Sequence, residues 1–426
     1  MTTATSETPA AAATDPLDAA ALARDFPILS EQVNGHRLVY LDSGATSQRP
    51  LAVLDAERDF LTHANAAVHR GAHTLAAEAT ELFEDARATV AGFVGAAPEQ
   101  LVWTSGATLG LNLAAYSLGA ALRLGPGDEI VTTAIEHHAN LIPWQELAAR
   151  TGASVRYIPA HDDGTLDLDA AAELIGERTR IVAFTHVSNV LGIINPVEKL
   201  IALAQAVGAV TVMDACQSAP HLPLDLPALG VDLAAFSGHK MMGPYGVGGL
   251  YGRAEVLESM PPFLTGGSMI TTVTLEGAQY LPPPQRFEAG TQPIGPAIGL
   301  AAAVRYLDGI GLERIHAHEV MLAERMRAGL AEIPGIRLLG DAAGAGNAPR
   351  VGLWSFDVEG VHAHDAGQFL DARGIAVRVG HHCAAPLHAR YGVTASVRAS
   401  TALYNTPDDV DVLLDAVSGI RPYFGV

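Results

Sequence analysis

The chain has 426 residues, with 26 basic against 46 acidic side chains, and a formal net charge of −20. That balance argues against a nucleic-acid binder, which needs a basic face to displace counterions from phosphates. A hydrophobic content of 49% with only 17% charged residues excludes disorder for most of the length, and no apolar run approaches the roughly 18 uninterrupted residues of a membrane span.

Residues 1–14 offer almost no large apolar side chain to offset ordering entropy, and a disordered tail is expected there. Asp15 can cap a helix, Pro16 suits a first helical position and Asp18 favours the positive helix end, so a short amphipathic helix should run through Phe26. This segment, 15–34, is expected to pack with the smaller of two domains. From about residue 50 to 260, helical patterns alternate with β-branched runs at Leu101 to Thr104, Glu129 to Thr133, Ser154 to Ile158, Arg180 to Thr185, Ala209 to Met213, Asp232 to Phe236 and Val247 to Tyr251. The alternation predicts a mostly parallel sheet sandwiched by helices, in a large domain over 35–300. Residues 261–296, rich in Pro and Gly, read as a loop or hairpin, and a long helical stretch follows from Pro296 to Ile333. Strands near Arg350 to Phe356, Ile375 to Val379 and Ser396 to Ser400 predict a second βα set, a smaller C-terminal α/β domain over 301–426. Two cysteines, Cys216 and Cys383, cannot build a disulfide framework, and no basic region precedes an apolar one at the start. The chain therefore reads as cytoplasmic, with reduced thiols.

In open α/β sheets, ligands sit beyond the carboxyl ends of the strands, so the polar residues after each run matter most. Asp214 ends one apolar run and Lys240 follows another. Alone, such an Asp is a turn or cap residue and such a lysine a solvated loop cation. Together they match what pyridoxal 5'-phosphate requires: an amine for the Schiff base and a carboxylate that keeps the pyridine nitrogen protonated. Ser105-Gly106-Ala107-Thr108, opening a helix, offers unpaired amides and a hydroxyl to a phosphate, though an ordinary N-cap is the plainer reading. Ser237 and His239 could add donors, Gln217 could reach a ring hydroxyl, and His137 could supply a flat face.

The strings AAVHRGAHTL (66–75), EHHANLIPW (136–144), HVSNVLG (186–192), DACQSAPH (214–221), FSGHKMMGPYGVG (236–248), FEAGTQP (287–293), RVGHHCAAPL (378–387) and VRASTALYNT (397–406) occur in this order. With them the chain resembles, from about residue 25 to its end, the SufS-type (group II) cysteine desulfurases. These are class V aminotransferase-like enzymes of the fold-type I PLP-dependent architecture. The resemblance implies Lys240 as the Schiff-base lysine, Asp214 at the ring nitrogen, Gln217 at the ring oxygen and His137 stacked on the ring. It implies phosphate contacts from Thr108 with Ala107, from Ser237 and His239, and from Thr291 of the second subunit of a homodimer. It implies that Arg398 holds the substrate carboxylate, with Asn189, Arg378, His69 and Arg70 nearby. Leu109 stands where the family commonly has an acidic residue, which puts a local ion pair there in doubt.

Cys383 decides what the cofactor chemistry serves, because a transaminase needs no thiol. By itself a lone cysteine reads as a small buried hydrophobe. The resemblance makes it the nucleophile that takes sulfur from L-cysteine as a persulfide, releases L-alanine and feeds iron-sulfur cluster assembly. Cys216 is read as packing. His381, His382 and Cys383 could be zinc ligands, but three neighbours on one short loop rarely complete a tetrahedral site, and no intrinsic metal site is expected. His364, in VHAHD, aligns with a histidine that can act as a transient zinc ligand toward a SufU-type acceptor; a solvent-exposed helix residue is the alternative. A SufE-type acceptor is the other candidate partner. Two other functions stay open: a selenocysteine lyase or related class V lyase, and a catalytically idle sulfur-transfer scaffold.

Overall fold

The computed structural model describes residues 16–341 and 348–426, so the expected tail over 1–14 and the Asp15 cap lie outside the described residues. Asp18 itself caps the first turn, accepting a hydrogen bond from the Ala21 amide, and a 3-10 turn carries the helix to Phe26.

Seven strands form the larger sheet: β1 (Leu101–Thr104), β2 (Glu129–Thr133), β3 (Ser154–Ile158), β4 (Thr179–Thr185), β5 (Val210–Asp214), β6 (Leu233–Ser237) and β7 (Gly248–Gly252). Their order is β1-β7-β6-β5-β4-β2-β3, and only β7 runs antiparallel to its neighbours. Strands of such a sheet are buried on both faces, because helices cover each side. Successive side chains therefore enter different cores. Val131, Val182, Met213 and Ala234 join one apolar cluster, and Ile130, Ile181, Val212 and Leu233 join the other. Helix Ala107–Ala121 contributes Leu111, Leu113 and Leu118 to the second. At Gly248 a Cβ would collide with the Phe236 carbonyl and come within 2.7 Å of Gly106 Cα. Glycine is what lets β7 lie against the turn that opens this helix.

Where one long helical stretch is expected, two helices occur, Ile294–Ile310 and Leu312–Ala331, broken at Gly311 with φ +95°. Apolar periodicity continues across the break, so only the backbone conformation reveals it. A hairpin, Ile270–Val273 with Ala278–Tyr280, occupies the Pro- and Gly-rich connection.

The smaller sheet is antiparallel throughout, in the order Ile336–Leu338, Leu353–Val358, Ser396–Ser400, Arg378–Gly380. A βα pattern alone leaves the direction of pairing open, and here the last strand inserts between two earlier ones. The expected strand over Ile375 to Val379 is split. Ile375–Ala376 pairs in parallel with Val39–Tyr40, from the range expected to belong to the large domain, and Arg378–Gly380 joins the antiparallel sheet. Among the described residues no helix is long and apolar enough to cross a membrane.

Candidate active site

Asp214 is the last residue of β5, and Lys240 closes the 3-10 turn Gly238–Lys240 directly after β6. These strands are parallel neighbours, so both residues emerge at the same sheet edge. A cavity of about 160 Å³ opens there, and His137, Asn189, Asp214, Lys240, Arg378 and Cys383 all line it. Ala107, Thr108, Gln217, Ser237 and His239 complete much of the wall.

The amino end of helix Ala107–Ala121 borders this space through Ala107 and Thr108. Gly106 takes φ +145°, and Ser237 Oγ accepts a hydrogen bond of 2.9 Å from the Ala107 amide. His239 stacks on Tyr245 with ring centroids 5.6 Å apart, and burial followed by the Lys240 charge pushes its pKa down to about 4. Its Nδ1 is buried without a hydrogen-bond partner, as is Gln217 Oε1, while Gln217 Nε2 donates to the Gly44 carbonyl at 2.8 Å. Buried polar atoms left open in this way are what a polar ligand would satisfy.

His137 Nδ1 accepts from the Ala139 amide at 3.0 Å. Burial and then Lys240 press its pKa down to about 4, so the ring is neutral at neutral pH. Cys216 lies in the same wall, 3.7 Å from Ser237 Oγ. Burial, reinforced by Asp214, pushes its thiol up to about 12, and it stays protonated.

Cys383 enters from the other side, on the loop after Arg378–Gly380. Arg378 Nη2 lies 3.7 Å from its Sγ. Arg398, fully buried in the adjacent strand, donates through Nη1 to the Asn189 carbonyl at 2.8 Å and faces Asp42 Oδ1 across 3.3 Å. Burial draws its pKa down to about 10, which leaves it charged at neutral pH, and its Nε is buried without a partner. Asn189 is anchored to the Cys383 loop, donating from Nδ2 to the His382 carbonyl at 2.6 Å.

Other expected residues stand apart from this cavity. Thr291 is exposed, as are His69 and Arg70. His69 pairs with Glu84 at 2.8 Å, and Arg70 Nη2 approaches the Ser268 carbonyl at 3.5 Å. His364 is exposed in the first turn of helix Ala363–Asp371, where its amide donates to His362 Nδ1.

The sequence reading assigned no role to three neighbours of the site. Asp42 contacts Arg398 from a segment remote in sequence. Glu136 is fully buried, held by Thr133, Asn140 and the Thr185 amide, and His138 contacts the Cys383 loop. The signal available for the last two was their position inside the EHHANLIPW string.

The aminotransferase class-V family model matches residues 39–413. A probable cysteine desulfurase of Mycobacterium leprae is 55% identical over 415 residues, covering 96% of this chain and 98% of that protein. The apo structure of the cysteine desulfurase of Thermococcus onnurineus NA1 superposes with TM-score 0.90 at 40% identity, covering 96% of this chain and all of that one. A mutant C-DES with glycine covalently linked to its PLP cofactor superposes with TM-score 0.79 at 25% identity, covering 93% and 99%.

Proposed function

Because the chain belongs to the class-V aminotransferase family, we propose that its strand-end cavity is the active site of a pyridoxal-phosphate-dependent cysteine desulfurase. The observation that carries this reading is the convergence of Lys240, Asp214 and Cys383 on one cavity of about 160 Å³.

The open polar atoms of Gln217 and His239, with the positive helix end at Ala107 and Thr108, fit the cofactor. Lys240 would hold it covalently, Asp214 would keep its ring nitrogen protonated, and Gln217 would meet its ring oxygen. His137 would cover one ring face, while Ala107, Thr108, Ser237 and His239 would bind its phosphate. When bound, pyridoxal phosphate supplies an electron sink that makes the substrate α-proton removable.

The remaining work falls to the chain. Arg398 would clamp the carboxylate of L-cysteine, with Asn189 alongside, because a guanidinium fork matches a carboxylate in two hydrogen bonds. Released from the cofactor once the substrate amine takes its place, the Lys240 amine would take the α-proton. Arg378 Nη2 lies 3.7 Å from Cys383 Sγ, whose thiolate would be the nucleophilic form. That thiolate would attack the substrate sulfur; the carbon–sulfur bond breaks, Cys383 keeps the sulfur as a persulfide, and the carbon skeleton leaves as L-alanine.

A second copy of the chain would complete the site. Thr291 is exposed in a single chain, and the nearby hairpin presents Val273 and Leu275 to solvent, an arrangement suited to a homodimer whose subunits share phosphate contacts. The persulfide would pass to a SufU-type zinc-dependent acceptor, or a SufE-type one, for iron-sulfur cluster assembly. The exposure of His364 supports the first, since its imidazole is free to approach a partner's zinc.

The test measures alanine from L-cysteine, with and without each acceptor. Cys383→Ala should retain the absorption of the lysine-bound cofactor and form no persulfide, whereas Lys240→Ala should lose that absorption. His364→Ala should lose only the stimulation by a zinc-loaded acceptor. A cofactor-loaded wild type that leaves L-cysteine untouched would reject the reading.

A further inference from the structure

His138 sits one residue beyond His137, on the turn that leaves the larger sheet, and it grips the Cys383 loop twice. Its backbone amide donates to the Cys383 carbonyl at 2.7 Å, and its Nε2 accepts from the Ala385 amide at 3.1 Å. Ala385 is the first residue of helix Ala385–Arg390. First-turn amides have no partner inside their own helix, and Pro386 has no amide to offer. The imidazole thus caps, from a distant part of the chain, the helix that begins two residues after Cys383.

The loop needs such a grip. His382 and Cys383 lie in the left-handed region, with φ +49° and +57°, a conformation that side chains with a Cβ adopt only when the surroundings hold them there. Within the loop, Cys383 donates to His381 Nδ1 at 3.2 Å. From outside, Asn189 holds the His382 carbonyl and His138 holds the residues on either side of Ala384.

We propose that His138 is a positioning residue, whose neutral Nε2 holds the Cys383 loop in its left-handed form so that the thiol faces the cavity. This rests on the assignment of Cys383 as nucleophile. The role requires the Nδ1–H tautomer, since an imidazolium has no lone pair with which to accept the Ala385 amide. Burial, and then the neighbouring His381, favour the uncharged ring. The rings facing it are those of His381 at 5.4 Å and His137 at 6.4 Å.

Amide hydrogen exchange of the segment 381–390 and alkylation of Cys383 by iodoacetamide test the proposal on cofactor-loaded protein without substrate. His138→Ala should speed exchange at Ala385 roughly two- to tenfold, the shift expected when one hydrogen bond is lost, and should change the alkylation rate. His138→Gln places a carbonyl oxygen near the former Nε2 and should restore both. Should the alanine variant fail to fold, His138→Met, which fills the space but accepts no amide, should behave as alanine was expected to. Unchanged exchange and alkylation in the alanine or methionine variant, or a glutamine variant no better than these, would overturn the proposal. Both readouts are taken without turnover. A chain inactive on L-cysteine would still report on the grip, and a failed grip would leave alanine formation to judge the proposed reaction.

Discussion

Asp42 Oδ1 lies 3.3 Å from Arg398 Nη2, opposite a guanidinium whose Nη1 is already given to the Asn189 carbonyl. One arginine is thereby tied to Asp42, near the start of the chain, and to a turn of the larger sheet, while its Nε stays without a partner.

The fork of Arg398 cannot be replaced by a point charge. Arg398→Lys should raise the KM for L-cysteine about 10- to 100-fold, the range expected from losing a charge-assisted second hydrogen bond, with a smaller effect on kcat. Steady-state alanine formation over a range of L-cysteine concentrations checks this, and an unchanged KM would remove Arg398 from the substrate clamp.

Glu136 gives the fold a pH dependence of definite sign. Burial raises its pKa from 4.5 to about 8, against the lowering effect of hydrogen bonds from Thr133, Asn140 and the Thr185 amide. The folded state therefore binds a proton that the unfolded state releases between pH 4.5 and 8. Its contribution is fully present below pH 4.5 and is lost as pH rises through about 8. Glu136→Gln should lose less stability than the wild type on going up through that window, a difference of up to a few kcal/mol. Denaturant melts across the window read it directly, and parallel curves for the two proteins would contradict it. His137 acts in the opposite sense: its pKa, depressed from 6.5 to about 4, gives stability present above pH 6.5 and lost as pH falls through 4.

Arg87 and Glu288 form a buried pair, with Nη1 to Oε1 at 2.6 Å, and Glu288 also accepts from the Trp103 amide at 2.8 Å. Removing one partner leaves a charge without compensation, which costs about 3–5 kcal/mol. Arg87→Met should lower unfolding stability by that order, while the double variant Arg87→Met with Glu288→Gln should recover part of it. A double variant as unstable as the single would show that the packing of Arg87, not its charge, is what matters.

The two cores were readable in the strand runs because a strand buried on both faces must be apolar throughout, and the turn residues at its carboxyl end then stand out by contrast. Asp214 and Lys240 were singled out for that reason and by the chemistry their side chains permit, and Cys383 by the resemblance its RVGHHCAAPL string carries. The break at Gly311 and the antiparallel smaller sheet were not readable, since apolar periodicity does not encode backbone handedness or strand direction.

What the sequence determined by itself is the set of chemically able groups and the layered α/β plan, because both follow from side-chain type and spacing along the chain. What only the tertiary structure decided is which groups meet. Asp42 reaches Arg398, Glu288 belongs to Arg87, and His138 holds the loop of Cys383, each across a sequence separation that no local pattern spans. Each contact forms only once the folded chain brings distant segments together, and burial is then the largest influence on the protonation of Glu136, His137 and Arg398.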